Sequence, residues 1–194
     1  MAARIFFSNS PSVPSMDLLY AISSEFNGFA KTAKYLVRIT PTGQNNPMKA
    51  YRGDVRDLSF LCESAELPGR GQMTTDIRYY GPNFKMPFQS SYEDLNLTFL
   101  VRENFLEREI FDSWMEVINP NYSYDFSYRD DYACTIKIFA LSDVAFYGAN
   151  YVFTFEKAWP VLVNPQPVTW ADDNFHRLSV SFTYTRWVRE EFDL

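Results

Sequence analysis

The sequence predicts a mainly β protein, an antiparallel β-sandwich or split barrel with one flanking α-helix at about 104–118. Short segments alternate apolar and polar residues with a period of two, as strands with one buried face do in antiparallel sheets. Frequent Gly and Pro residues separate these segments, and a long helical pattern interrupts them once, which is typical of sandwiches and barrels. The 194 residues, of which 46% are apolar, suffice for one domain with a full core.

Residues 1–33 are predicted to form an N-terminal arm, followed by a β domain over 34–194. Residues 8–16 are rich in Ser and Pro and predict an extended segment. Asp17 is a candidate N-cap for a short helix that Gly28 ends. Four apolar residues share one face of that helix: Leu18, Leu19, Ile22 and Phe26. Such a face indicates that the arm lies against its own domain or against a neighbour.

The first strand of the β domain is predicted from Tyr35 to Ile39, where apolar and polar residues alternate. Residues 41–57 follow as a long polar loop between strands, which contains Lys49, Arg52 and Arg56. It is longer than most connections in compact domains, and loops of that size are usually functional or mobile.

Seven further strands are predicted by the same alternation of apolar residues. They lie at 58–62, 75–79, 84–88, 95–101, 134–138, 151–155 and 178–184. A loop rich in Tyr and Asp, residues 120–132, separates the fourth of these strands and the following helix from the fifth.

The helix at about 104–118 follows the strand at 95–101. Asn104 is a good N-cap residue, and Glu107 completes a capping-box pattern three positions later. One half of the helical wheel is apolar: Leu106, Ile110, Phe111, Trp114, Met115, Val117 and Ile118. Because burial of five such side chains is worth roughly 8 to 15 kcal/mol, this half must dock on a sheet or on a neighbouring subunit.

Charge and cysteine content exclude several classes of protein. The net charge of −6 argues against a nucleic-acid binder that neutralises phosphates. Cys62 and Cys134 fall on the apolar face of predicted strands, so buried free thiols are expected rather than a disulfide. The N-terminus does not match a signal peptide, and no apolar run is long enough to cross a bilayer, so a soluble cytosolic protein without membrane partners is expected.

The sequence offers no convincing catalytic, cofactor or metal site. His176 is the only histidine, with no second ligand or nucleophile beside it in sequence. The acidic pairs at 130–131, 172–173 and 190–191 are predicted to be solvated, because adjacent strand residues point to opposite faces. No enzyme activity is therefore expected.

Two rows of short polar residues mark the polar faces of predicted strands. Candidate residues facing a lumen are Gln72, Thr74 and Asp76 in one row, and Ser179, Ser181 and Thr183 in the other. Short neutral side chains suit the wall of a conduit that must not bind the molecule passing through it. An ordinary solvated sheet face explains the same rows.

Several stretches, in their linear order, resemble a known family. They are the segment 58–68, which ends in Ala-x-Leu-Pro, the Phe-x-x-Trp at 111–114, the Ala-Trp-Pro at 158–160, the Trp-Ala-Asp-Asp-Asn at 170–174 and the closing strand 178–187. On these stretches the chain resembles, over about 35–187, the tail tube proteins of contractile-tailed (myovirus-type) bacteriophages. The arm and the loop 41–57 look like additions to the family's pattern.

The resemblance implies a subunit whose inner strands join those of five other copies into one multi-subunit β-barrel. Such hexameric rings stack into a tube inside a tail sheath, and genomic DNA passes through it without specific binding when the sheath contracts. An acidic lumen would keep friction with DNA low. The implied partners are further copies, the sheath protein and baseplate proteins, and the implied location is the virion tail, assembled in the host cytoplasm.

Candidate contacts between subunits or rings are basic and aromatic residues: Lys49, Tyr51, Arg52, Arg56, Trp114, Trp159 and Trp170. The arm 1–33 and the loop 41–57 are expected to contact other rings or the sheath. Two other functions fit the sequence. One is a tube-like ring near the baseplate or at the tube's end. The other is a carbohydrate-binding or carbohydrate-acting β-sandwich, with surplus Trp and Tyr as a sugar platform.

Overall fold

A computed structural model of the chain describes residues 32–42, 46–78, 80–141, 149–171 and 173–190. Nine strands occur in these residues: β1 Tyr35–Pro41, β2 Cys62–Ala65, β3 Gly71–Ile77, β4 Phe84–Ser91, β5 Leu95–Leu100, β6 Cys134–Leu141, β7 Ala149–Val163, β8 Arg177–Thr183 and β9 Arg186–Glu190. The helices are α1 Arg52–Leu61, α2 Leu106–Ile118 and α3 Arg129–Tyr132, with a 3-10 helix at Pro47–Lys49. The predicted arm lies outside the described residues, except for 32–33.

The main sheet has the antiparallel strand order β1-β6-β7-β8-β5-β2, and β9 also pairs with β7. The long strand β7 belongs to two half-sheets. Its first part pairs with β6 and β9 up to Ala158, and its last part, 159–163, pairs with β8. Lys157, near the junction of these parts, adopts a positive φ of 52°. We call the half-sheet of β1, β6, β9 and the first part of β7 sheet A, and that of β2, β5, β8 and residues 159–163 sheet B. The predicted fold class, a mainly β split barrel, is confirmed.

The core lies between the inner sheet faces and the apolar side of α2. Phe111 of α2 contacts Phe99 of β5 and Phe182 of β8, with ring centroids 5.4 and 6.0 Å apart. Trp114 stands 6.1 Å from Phe182, and its indole N–H donates to the carbonyl of Tyr132 at 2.9 Å. The predicted helix therefore docks on the chain's own sheet.

The start of α2 differs from the predicted capping box. The helix begins at Leu106, after Phe105 in a left-handed conformation with φ of 53°. Glu107 is fully buried and accepts hydrogen bonds from the backbone N–H and the guanidinium of Arg102 instead of reaching back to Asn104. Asn104 still caps weakly, since its side-chain oxygen accepts the N–H of Leu106 at 3.3 Å.

The predictions for 41–57 and 58–62 are wrong. Helix α1 begins inside the predicted loop and occupies most of the predicted strand, and β2 starts only at Cys62. The physical reason is the three-residue spacing of Val55 and Leu58, which are both buried and share one side of a helix. Phe60, which the strand pattern placed on the buried face, is 74% exposed.

Strand β3 overlaps the predicted strand at 75–79 but begins four residues earlier, and Tyr79 lies outside the described residues. Strand β4 covers the predicted 84–88 and continues to Ser91. Neither strand belongs to the main sheet. They form a separate two-stranded hairpin. Nearly all of their side chains are exposed, so the described residues of the chain bury neither face of the hairpin.

Candidate assembly surfaces

Sheet B has two free edges among the described strands. Strand β2 pairs only with β5, and residues 159–163 of β7 pair only with β8. The Cys62 carbonyl of β2 accepts the Tyr35 hydroxyl at 3.1 Å, which occupies one position of that edge. The rest of an exposed edge presents backbone N–H and C=O groups that can pair with another chain.

The N–H of Ala65 faces the free edge of β2. Glu66 donates its own N–H to the carbonyl of Asn96 on β5. Because successive residues of an antiparallel strand point their N–H groups to opposite sides, the N–H of Ala65 points away from β5. Ala65 therefore offers a donor to any strand that adds to this edge.

The outer face of sheet B carries short polar side chains. Ser179 and Ser181 alternate along β8 with fully buried apolar residues, as the sequence predicts. They are tied to β5, since the Ser181 hydroxyl donates to Asn96 at 2.6 Å and the Ser179 and Thr98 hydroxyls are 3.1 Å apart. Thr183 continues the row on β8.

The charged side chains at this face form one ion pair and include one further acid. Arg177, at the start of β8, forms an ion pair with Glu63 of β2 at 2.6 Å. Hydrogen bonding to Arg177 holds the pKa of Glu63 below its ordinary value. Glu66 accepts a hydrogen bond from Asn96 at 2.8 Å. Arg177 balances the charge of Glu63, and Glu66 adds one negative charge to this face.

The second predicted polar row lies on the hairpin and not on sheet B. Gln72 donates to the hydroxyl of Ser90 across the hairpin at 3.0 Å, and Asp76 lies opposite Lys85. Thr74 lies between them on the same face. The two rows therefore belong to two separate sheets within one chain.

The opposite face of the hairpin is apolar and uncovered. Ile77 pairs with Phe84, and Thr75 with Met86. The exposed large side chains of the hairpin are Met73, Phe84, Met86 and Phe88, the last at 64%. Contiguous exposed apolar patches of this kind usually mark contacts with another molecule.

The predicted tryptophan contacts have different environments. Trp114 is fully buried in the core, so it has no surface with which to contact another subunit, contrary to the expectation. Trp159 is partly buried and packs edge-on against Tyr132, with ring centroids 5.9 Å apart. Trp170 is fully exposed in the connection between β7 and β8, where Val168 and Phe175 are also exposed. Only Trp170 presents an entire ring to solvent.

The basic candidates gather around α1. Lys49 and Arg56 line a groove of about 690 Å³ between α1 and β1. Tyr51 precedes α1 and packs against the core. Arg52 is the first residue of α1, and its side chain lies outside the described residues. The structure thus brings Lys49 and Arg56 together at one groove.

Groups that could carry chemistry are few in the described ranges. There, no three His, Cys, Asp or Glu side chains come close enough together to hold a metal ion. Burial raises the pKa of the Cys62 thiol to about 12 and also raises the pKa of Cys134. Both thiols therefore stay protonated near neutral pH. The ring of His176 packs against Phe105, with centroids 5.5 Å apart.

The sequence pattern missed the hairpin's exposure and the groove beside α1. Alternation shows that a strand has an apolar face, but not which molecule covers that face. The spacing of Val55 and Leu58 was the available signal for α1.

None of the helices that the structure describes is both long enough and apolar enough to span a membrane.

Comparison with known proteins places the chain in a family. The profile of the family described as "Phage tail tube protein" matches residues 30–190. Among solved structures, a chain of the anti-feeding prophage baseplate, from a reconstruction described as six-fold symmetrised, is 14% identical with a TM-score of 0.62; the match covers 86% of this chain and 99% of that one.

Two chains from an extracellular contractile injection system, PVC, are also similar. One, from the sheath-tube complex in the extended state, is 15% identical with a TM-score of 0.61, covering 89% of this chain and 97% of that one. The other, from the sheath/tube terminator, is 15% identical with a TM-score of 0.59, covering 84% and 97%. At these identities the likeness establishes the fold. No curated protein matches the sequence.

Proposed function

This chain belongs to the phage tail tube protein family, and we propose that it is a structural, non-catalytic subunit of the tail tube. Its copies add edge to edge into hexameric rings, and the rings stack into a hollow conduit. Genomic DNA passes through the conduit when the surrounding sheath contracts. The subunit is a component of the virion tail and assembles in the host cytoplasm.

The observation that carries this proposal is the pair of free edges on opposite sides of sheet B. Strand β2 of one copy pairs with residues 159–163 of β7 in the next copy, so that sheet B continues around the ring. A head-to-tail contact of this kind closes into a ring when its rotation permits. Six copies are proposed because the similar baseplate chain comes from a six-fold symmetrised reconstruction.

The outer face of sheet B forms the lumen wall in this proposal. Ser179, Ser181 and Thr183 present short neutral side chains to the lumen, and the cation of Arg177 is paired with Glu63. Tight DNA binding needs Lys and Arg side chains that neutralise phosphates. A wall of hydroxyl groups with its arginine already paired lets DNA pass without holding it.

The hairpin β3–β4 contributes to contacts between rings. Its apolar face, with Met86 and Phe88, is covered by a neighbouring copy. Its polar face, with Gln72, Thr74 and Asp76, continues the lumen wall at one end of the ring.

The remaining contacts lie on the outside of the tube. The arm 1–33 and residues 41–57 reach neighbouring rings or the sheath protein. Trp159 and Trp170 remain candidates for contacts between copies. Baseplate proteins bind at one end of the tube.

A second candidate function is a ring near the baseplate or at the end of the tube, present in few copies. The likeness to chains from a baseplate and from a sheath/tube terminator favours it. It uses the same ring contact through sheet B and differs in whether rings stack on both sides.

Negative-stain microscopy of the purified protein tests the proposal. Long hollow tubes are expected for a tube subunit, and isolated rings for the second candidate. Monomers that persist at high protein concentration would contradict both and would favour an unrelated role such as carbohydrate binding. Mass photometry on the same sample counts the copies in a ring, and a number other than six would overturn the hexamer.

A further inference from the structure

The groove between α1 and β1 is apolar at its floor and basic at its rim. Its volume is about 690 Å³. Leu36, Val55 and Phe60 supply apolar lining, and Phe60 is 74% exposed although it is a large aromatic residue. Arg38 and Arg56 lie along it, and none of the described residues that line it is acidic. Such a groove suits a segment that is apolar on one side and acidic on the other.

We propose that this groove binds residues 17–26 of a neighbouring copy in the assembled tube, an inference that rests on the proposed function. That segment carries Asp17 and Glu25 and no basic residue. Its apolar residues are spaced to share one face of a helix: Leu18, Leu19, Ile22 and Phe26. An amphipathic helix with such a face is a common ligand of apolar grooves. Its acids complement Arg38 and Arg56.

Residues 17–26 can be placed either in the groove of their own copy or in that of a neighbouring copy. Lys34 accepts a hydrogen bond from the N–H of Leu141, so the chain enters β1 from beyond that end of β6. The groove lies along the rest of β1, toward Pro41. The nine Cα–Cα steps from Phe26 to Tyr35 can span at most about 32 Å. Binding of residues 17–26 to their own groove requires the chain to reverse direction within this length, whereas binding to a neighbouring copy does not.

Disulfide trapping between two proteins, each with one introduced cysteine, tests this placement. Both carry Cys62→Ser, and the fully buried Cys134 stays. One protein carries Ser23→Cys, at the flank of the apolar helix face, and the other carries Ser59→Cys in the groove. The matched control replaces Ser23→Cys by Ser24→Cys, one residue along and on the opposite side of the predicted helix. A disulfide forms only when the two Cα atoms come within about 7 Å.

The expected result is a two-chain product after mixing, assembly and mild oxidation, at several times the yield of the Ser24→Cys control. Reversing the groove charges with Arg38→Glu and Arg56→Glu should lower that yield several-fold. Tubes that form without the product, or with equal yields from both arm positions, would overturn the inference and leave the proposed function standing. A link found only within single chains that carry Ser23→Cys and Ser59→Cys together would also overturn it. Absence of tubes or rings in the micrographs would reject the proposed function, and this inference with it.

Discussion

Replacing Ala65 by proline should prevent ring assembly while leaving the folded subunit intact. The Ala65 N–H faces the free edge of β2, because Glu66 donates to Asn96 on the other side. Proline has no N–H, and it is tolerated on edge strands for that reason. The substitution therefore removes a donor from the proposed contact between copies without breaking a bond of β2 to β5.

The size of the effect follows from the cost of a lost hydrogen bond at an interface. Removing the donor leaves the carbonyl of the next copy unpaired, which costs about 1 to 3 kcal/mol. Each contact is therefore weakened by about 5-fold to 140-fold at 1.4 kcal/mol per tenfold. Since a ring contains one such contact per copy, assembly should be lost at concentrations where the wild type assembles.

Size-exclusion chromatography with light scattering, followed by negative-stain microscopy, measures this loss. Ala65→Ser is the matched control, because serine keeps the N–H and is expected to assemble like the wild type. Circular dichroism should show the same secondary structure for both variants. If Ala65→Pro assembled at wild-type concentrations, β2 would not be the strand that joins the copies.

Three further predictions concern the folded subunit. Arg102→Ala leaves the buried carboxylate of Glu107 without its cation, although the backbone N–H of residue 102 still donates to it. Because the Arg102 side chain is itself 35% exposed, urea unfolding should show a loss of about 1 to 3 kcal/mol. No measurable loss would mean that the pair adds little. Hydrogen bonds from Lys137 and Thr154 hold the pKa of Glu190 below its ordinary value, so its contribution to stability is present above that value and is lost as pH falls through the lowered pKa. The melting temperature of Glu190→Gln should therefore fall less than that of the wild type between pH 7 and pH 3, and equal falls would contradict the role of this group. Cys134 is fully buried with a raised pKa, so it should react with a thiol reagent at pH 8 only after unfolding, in a Cys62→Ser background; rapid reaction of the native protein would show that the core opens.

The sequence predicted those elements whose apolar faces are covered by the chain itself. Strand β5 and strand β8 alternate cleanly because Leu97 and Val180 face the core. Helix α2 was recognisable because its apolar residues recur with the helical period. The resemblance to tail tube proteins is confirmed by the family match over residues 30–190.

The failures have physical causes that a single sequence does not reveal. Leu58 and Phe60 match a strand, yet Val55 and Leu58 match a helix equally well, and packing on β1 decided for the helix. The apolar face of the hairpin alternates as a buried strand does. Alternation alone does not reveal whether such a face is covered by the same chain or by another molecule. Trp114 looked like a contact residue only because large aromatic side chains occur both in cores and at interfaces.

A cryo-electron microscopy reconstruction of the assembled protein would show which strands join the copies. We expect β2 of each copy to pair with residues 159–163 of the next, and Ser179 and Ser181 to line the lumen. A closed assembly in which β2 has no neighbouring strand, or in which those serines face outward, would contradict it.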